Sequence, residues 1–317
     1  MKKILWALLC VVLSIVTFVI SFLAGLVVPL VKYASSLEVE WNENVGEIVT
    51  NLKFGGGEGT GYDLYIPKKF REDKEASLIL FIHGGSFTGG SKIDEDMWCK
   101  YYAAQGYITA TLDYSLMAEG SSVNINTMNE EIFLCVKAIK DECLARGYDI
   151  KQMATSGQSA GGHLAMLYAY SHGVDSPIPV KFVFQQTGPC SFHIEDWGGD
   201  AVTEEDYDEV ISAVLGWAGK EITREQVADG SYVKFLSEIS PVSLVNENTV
   251  PTLCAYGAND VVVPVNMKYK LFEAFEKYGV EYDFIYFENS GHGMTSDADK
   301  QVEFIEKSLE YCDKYFE

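Results

Sequence analysis

Positive charge is scarce in this chain. Lysine and arginine together number 24 against 46 aspartates and glutamates, for a formal net charge of −22. No block of like charge dominates. This balance argues against a nucleic acid, or an anionic lipid headgroup, held on a basic face. Cysteine pairs at metal or redox spacing are also missing. None of the seven cysteines belongs to a CxxC, which argues against zinc-ribbon and dithiol chemistry. Cys135 and Cys143 fall on one expected helix, about 12 Å apart along its axis and beyond disulfide reach. Scattered buried thiols are the expectation for the domain, and a bridge between distant pairs stays open. The glycine run Gly55-Gly56-Gly57-Glu58-Gly59 lacks the Gly-Lys-Ser/Thr of a phosphate loop and reads as a hairpin turn between two strands. Internal repeats and low-complexity tracts are absent from the sequence. Histidines number only five, which shortens any search for a general base.

Apolar length is abundant at the N-terminus. Lys2 and Lys3 precede an uncharged run from Ile4 to Val31, closed by Lys32. As a helix the run would span roughly 42 Å, against a hydrocarbon core of about 30 Å. Secretory signals carry a shorter apolar stretch of about 7–15 residues. Residues 1–36 are therefore expected to be an uncleaved transmembrane anchor with a cytoplasmic N-terminus. A signal segment cleaved near Ala34-Ser35-Ser36 is the alternative. Either reading puts residues 37–317 outside the cytoplasm. Those residues alone carry −25, because the removed segment holds three lysines and no acid.

Beyond the hairpin of Val45–Phe54 and Gly61–Pro67, short apolar runs alternate with helical patterns. Strands are expected at Ser77–His83, Tyr107–Leu112, Met153–Ser156, Val180–Gln185, Thr252–Tyr256 and Tyr282–Phe287. Helices are expected at Ile93–Gln105, Met128–Ala145, Ala160–Tyr170, Met267–Tyr278 and Asp297–Tyr315. Such alternation predicts an α/β domain with a mostly parallel central sheet and helices on both faces. Ligands in such sheets bind beyond the carboxyl ends of the strands. The acidic stretch from Cys190 to Val245 interrupts the alternation. With helices expected near Glu204–Leu215 and Arg224–Leu236, it reads as a lid or cap insertion, residues 190–245.

The chemistry-bearing residues fall where strands end. Gly157-Gln158-Ser159-Ala160-Gly161 follows a strand and opens a helix, the setting in which a G-x-S-x-G lifts a serine hydroxyl above a sheet. A serine needs a base to take its proton. His292, in the glycine-flanked loop Ser290–Met294 after the last strand, is the candidate. His83, His163, His172 and His193 belong to other loops, to the helix after the serine, or to the insertion. An imidazole in turn needs a carboxylate to set its tautomer. Asp260, after the strand Thr252–Tyr256, completes the order Ser, Asp, His; Glu288 is the runner-up. His83-Gly84-Gly85-Ser86 ends another strand. Its Gly85 and Ser86 amides, with that of Ala160, are candidate donors to an oxyanion.

From about Gly61 onward the chain resembles the α/β-hydrolase esterase/lipase family, in particular its hormone-sensitive-lipase-like and carboxylesterase-like branch. The matching pieces are Tyr65-Ile66-Pro67, His83-Gly84-Gly85, Asp113-Tyr114, Gly157 to Gly162, Gly257 to Asp260, Val263-Pro264 and Gly291-His292. The resemblance implies hydrolysis of a small-molecule carboxylic ester through an acyl-enzyme, with no metal or organic cofactor. Ser86 and Phe87 stand where many relatives have a third glycine and another residue. That departure leaves amide donation intact and argues against a preference for bulky tertiary alcohols. An amide-cleaving hydrolase, arylformamidase-like or an exopeptidase, uses the same residues and stays open. A silent hydrolase fold displayed at the membrane as a binding module is the alternative from another class; such proteins usually lose a triad member, and all three are present here. A membrane-lipid lipase is motivated by the anchor and by Phe192, Trp197 and Trp217 in the insertion.

Overall fold

The computed structural model describes residues 37–57, 59–71, 75–198 and 202–317. The expected anchor, residues 1–36, lies outside them. Among the described residues no helix is long and apolar enough to cross a membrane. Eight strands form one sheet: β1 (Gly46–Leu52), β2 (Gly61–Pro67), β3 (Ser77–Ile82), β4 (Ile108–Asp113), β5 (Gln152–Gln158), β6 (Val180–Gln186), β7 (Thr252–Gly257) and β8 (Tyr282–Phe287). Their spatial order is β1-β2-β4-β3-β5-β6-β7-β8. The hairpin β1–β2 and the β2–β4 pair are antiparallel, and all later pairs are parallel. Parallel neighbours need long crossovers, and helices supply them.

Six helices do most of this covering: α1 (Asp96–Ala104), α2 (Ile125–Ala145), α3 (Ala160–His172), α4 (Tyr207–Ala218), and, after the short turns α5 (Arg224–Ala228), α6 (Val233–Glu238) and α7 (Pro241–Leu244), α8 (Met267–Tyr278) and α9 (Ala298–Tyr315). Alternation along β3 separates two cores. Leu78, Leu80 and Ile82 pack on the face covered by α2, α3 and α8, while Ile79 and Phe81 pack on the face covered by α1 and α9. Each such fully buried side chain contributes about 1.5–3 kcal/mol relative to exposure. The six cysteines of the domain are buried and free, and Cys135 and Cys143 do share α2.

Local chemistry sets the boundaries. Asn124 caps α2, its side chain accepting from the Thr127 amide, so the helix starts three residues before the apolar periodicity does. The helix expected over Ile93–Gln105 begins instead with a 3-10 turn, Lys92–Glu95, before α1. The helix expected over Arg224–Leu236 is two helices, α5 and α6, separated at Gly230, whose φ of +76° ends the first. The insertion keeps to one side. Its Phe192, Val210, Val214 and Leu236 join the core of the α2–α3–α8 face.

Candidate active site

Ser159 sits between β5 and α3 with φ 57° and ψ −124°. A non-glycine residue holds this strained conformation only where its surroundings over-determine it, at a cost of about 1–3 kcal/mol. Here its amide donates to Gln186 O at 2.9 Å and its carbonyl accepts from the His163 amide at 3.0 Å. Two residues on, a Cβ at Gly161 would stand 1.9 Å from the Ile82 carbonyl oxygen. Only glycine lets α3 start this close to β3.

The elbow, the loop after β7 and the loop after β8 converge. Ser159 Oγ lies 2.8 Å from His292 Nε2, and His292 Nδ1 lies 2.8 Å from Asp260 Oδ2. The carboxylate accepts only, so Nδ1 carries the proton and Nε2 is left to accept from the serine hydroxyl. Asp260 Oδ1 accepts from the Val262 and Val263 amides at 2.8 and 2.9 Å. Burial pushes the Asp260 carboxyl up, but the bond to His292 and the two amides outweigh it and leave it below the ordinary carboxylate value. His292 bonds Asp260 rather than Glu288.

Gly85, Ser86 and Phe87 follow β3 with φ of +112°, +54° and +64°. Successive backbone amides in turns can form anion-binding concavities. Among the described residues the Gly85 and Ser86 amides have no hydrogen-bond partner. Ala160 begins α3, where the first amides of a helix have no intrahelical acceptor. All three expected donors thus belong to segments that meet at Ser159. A cavity of about 440 Å³ opens there, lined by Gly84, Gly85, Ser86, Gln158, Ser159 and His292, with Phe81, Trp98 and Phe304 as an apolar wall. None of the described residues of the 190–245 insertion lines it.

The other histidines have structural partners. His83 stacks on Tyr114 with centroids 4.2 Å apart and donates to Gly84 O at 2.7 Å, while the Tyr114 hydroxyl donates to His83 O at 2.8 Å. His163 is fully buried between Phe87 and Phe192 and bonds Pro189 O at 2.7 Å. His172 faces Glu130 at 3.8 Å, and His193 meets Ser237 Oγ at 3.0 Å. Phe192, Trp197 and Trp217 pack together, with Phe192 5.8 Å from Trp197 and 5.1 Å from Trp217.

Sequence reasoning missed the residues that support the histidine loop. Gln158 Nε2 donates to His292 O at 3.2 Å. Gln186 Nε2 donates to Gln301 Oε1 at 2.8 Å, and Gln301 Nε2 donates to Met294 O at 3.0 Å. Gln158 stood inside the elbow motif. Gln186 and Gln301 carried no local signal, since their pairing spans two elements. Glu95 and Trp98, also in the cavity wall, were placed only on a helix.

Comparison with known proteins agrees with this architecture. The BD-FAE family model matches residues 62–275. Esterase LipI of Mycobacterium tuberculosis is 28% identical over 123 residues, 38% of this chain and 38% of that protein. Kynurenine formamidase of Salmo salar is 24% identical over 123 residues, 39% of each. The chain thus spans well under half the length of these curated relatives. The butyrate-bound esterase Est2 of Thermogutta terrifontis superposes with a TM-score of 0.65 at 20% identity, covering 88% of this chain and 97% of that one. The fold is the one that Est2 has.

Proposed function

The chain belongs to the BD-FAE family, and from that premise we propose that it is a serine hydrolase that cleaves carboxylic esters through an acyl-enzyme. The observation that carries this reading is the pair of 2.8 Å contacts linking Ser159, His292 and Asp260, the first two of which line a cavity. In the proposed reaction His292 Nε2 takes the Ser159 proton as Oγ attacks the carbonyl carbon. Negative charge develops on the carbonyl oxygen and is met by the Gly85, Ser86 and Ala160 amides. Asp260 stabilises the imidazolium. His292 then protonates the departing alcohol, and water repeats the sequence in reverse to free the acid. Hydrolysis of p-nitrophenyl acetate and butyrate by the chain and by Ser159→Ala tests this. Turnover that persists in a folded Ser159→Ala variant refutes it.

Amide cleavage is the second reading, favoured by the similarity to a formamidase. Matched ester and formamide substrates discriminate the two. We also propose that the apolar run 4–31 holds the domain at a membrane, with residues 37–317 outside the cytoplasm; Lys2 and Lys3 support that orientation. Alkaline carbonate extraction of the full chain should leave it in the membrane pellet. Its release would overturn the anchor.

A further inference from the structure

The cavity at Ser159 contains a side chain that the proposed reaction does not use. Glu95 ends the 3-10 turn before α1, is 8% exposed, and lines the cavity beside Asp94 and Trp98. Its acidic neighbours are all engaged. Asp94 accepts from the Ser91 amide at 2.8 Å. Asp96 accepts from the Tyr65 hydroxyl at 2.8 Å and from Lys100 at 2.6 Å. Asp113 and Asp63 take Lys92 at 3.2 and 3.7 Å. Glu95 stands at the N-cap position of α1, but its side chain makes no capping hydrogen bond. Among the described residues it makes no hydrogen bond and no ion pair.

A buried carboxyl left without a partner is costly. Burial, together with the charge of Asp94, pushes it up to about 8, so at pH 7 most of the carboxyl is protonated and a bound cation must drive that proton off. The fold supplies no partner, and the cavity is the direction from which one can come. The lining selects among ligands. No lysine or arginine is among the cavity residues, two carboxyls are, and Phe81 and Trp98 stack at 6.3 Å and 21° beside Phe304. An anion is opposed by both carboxyls. A neutral hydroxyl engages Glu95 but gains nothing from Asp94's charge or from the aromatic faces. A cation is favoured by the carboxylates and by the negative faces of the rings together.

We propose that Glu95 is a specificity-determining residue that selects substrates bearing a protonated amine, seated between its carboxylate and Trp98. The word substrate rests on the hydrolase reading above; the binding preference does not.

The test uses the full chain in detergent and pairs of ligands matched in shape. 2-(Dimethylamino)ethanol is set against 3-methylbutanol, and N,N-dimethylglycinamide against 3-methylbutanamide, by ligand-observed NMR titration at pH 8.5, where the Glu95 carboxyl is mostly ionised and the amines are still largely protonated. The cationic member of at least one pair should bind tenfold or more tightly, and Glu95→Gln should bring that ratio within twofold. Glu95→Met repeats the measurement with a second replacement. A parallel arm compares kcat/KM for 2-(dimethylamino)ethyl acetate and 3-methylbutyl acetate. Equal binding within both pairs overturns the proposal, as does a preference that survives both replacements. A chain that turns over neither these esters nor p-nitrophenyl acetate and butyrate, yet prefers the cationic ligands, overturns the esterase reading and upholds this one.

Discussion

Asp260 and His292 meet across the carboxyl ends of the adjacent strands β7 and β8, with Oδ2 2.8 Å from Nδ1, while the other carboxylate oxygen is pinned by the Val262 and Val263 amides. The acid is thus held from two sides and presents one oxygen to the ring. Asp260→Asn keeps the shape and loses the tautomer control. We expect kcat to fall by about 10⁴ with the melting temperature little changed. Turnover within tenfold of the native chain would assign the orienting role to another carboxylate, such as Glu288.

His163 carries a pH dependence of stability. Burial lowers its pKa to about 4, with the bond to Pro189 O opposing the shift. Its Nε2 has no partner among the described residues, so a proton there would find no acceptor. Unfolded, the ring titrates near 6.5. The unfolded chain therefore binds the extra proton first as pH falls. Stability is complete above about 6.5 and declines toward 4, by about 3 kcal/mol from this group. In His163→Asn, which can still donate to Pro189, thermal melts between pH 7.5 and 4.5 should lose this part of the slope. An identical slope in the variant would place the titration elsewhere.

Gly161→Ala tests the closeness of α3 to β3. The added Cβ would lie 1.9 Å from Ile82 O, and backbone cannot yield as a side chain can. We expect a loss of several kcal/mol, read as a large fall in the denaturant midpoint or as insoluble expression. A midpoint equal to the native one contradicts the packing described.

Gln301→Met removes the bridge between Gln186 and the Met294 carbonyl, leaving buried polar groups unpaired at about 1–3 kcal/mol each. Met294 itself holds φ of +56°. The histidine loop should loosen, and kcat for a p-nitrophenyl ester should fall about tenfold while KM changes little. Unchanged kcat with lowered stability would make the bridge purely structural.

Much of the site was legible in the chain because its parts are local. The elbow is five consecutive residues whose steric demands recur wherever a strand turns at once into a helix. His292 and Asp260 each follow a strand, and their order along the chain narrowed the choice among five histidines and many acids. The insertion was visible as a break in the alternation. The place where it packs was not, because that depends on which face of the sheet its Phe192 and Leu236 find.

The amino-acid sequence by itself determined the alternation of strands and helices, the turn at Ser159 and the glycine-lined loop after β3, since backbone sterics and side-chain periodicity act over a few residues. Tertiary structure alone decided that Glu95 faces the cavity without a partner while Asp94 and Asp96 on either side are satisfied, and that Gln186 and Gln301 meet behind the histidine loop. Those facts depend on distances between elements far apart in the chain. Local periodicity carries no information about them, and the packing of the two faces of the sheet sets them.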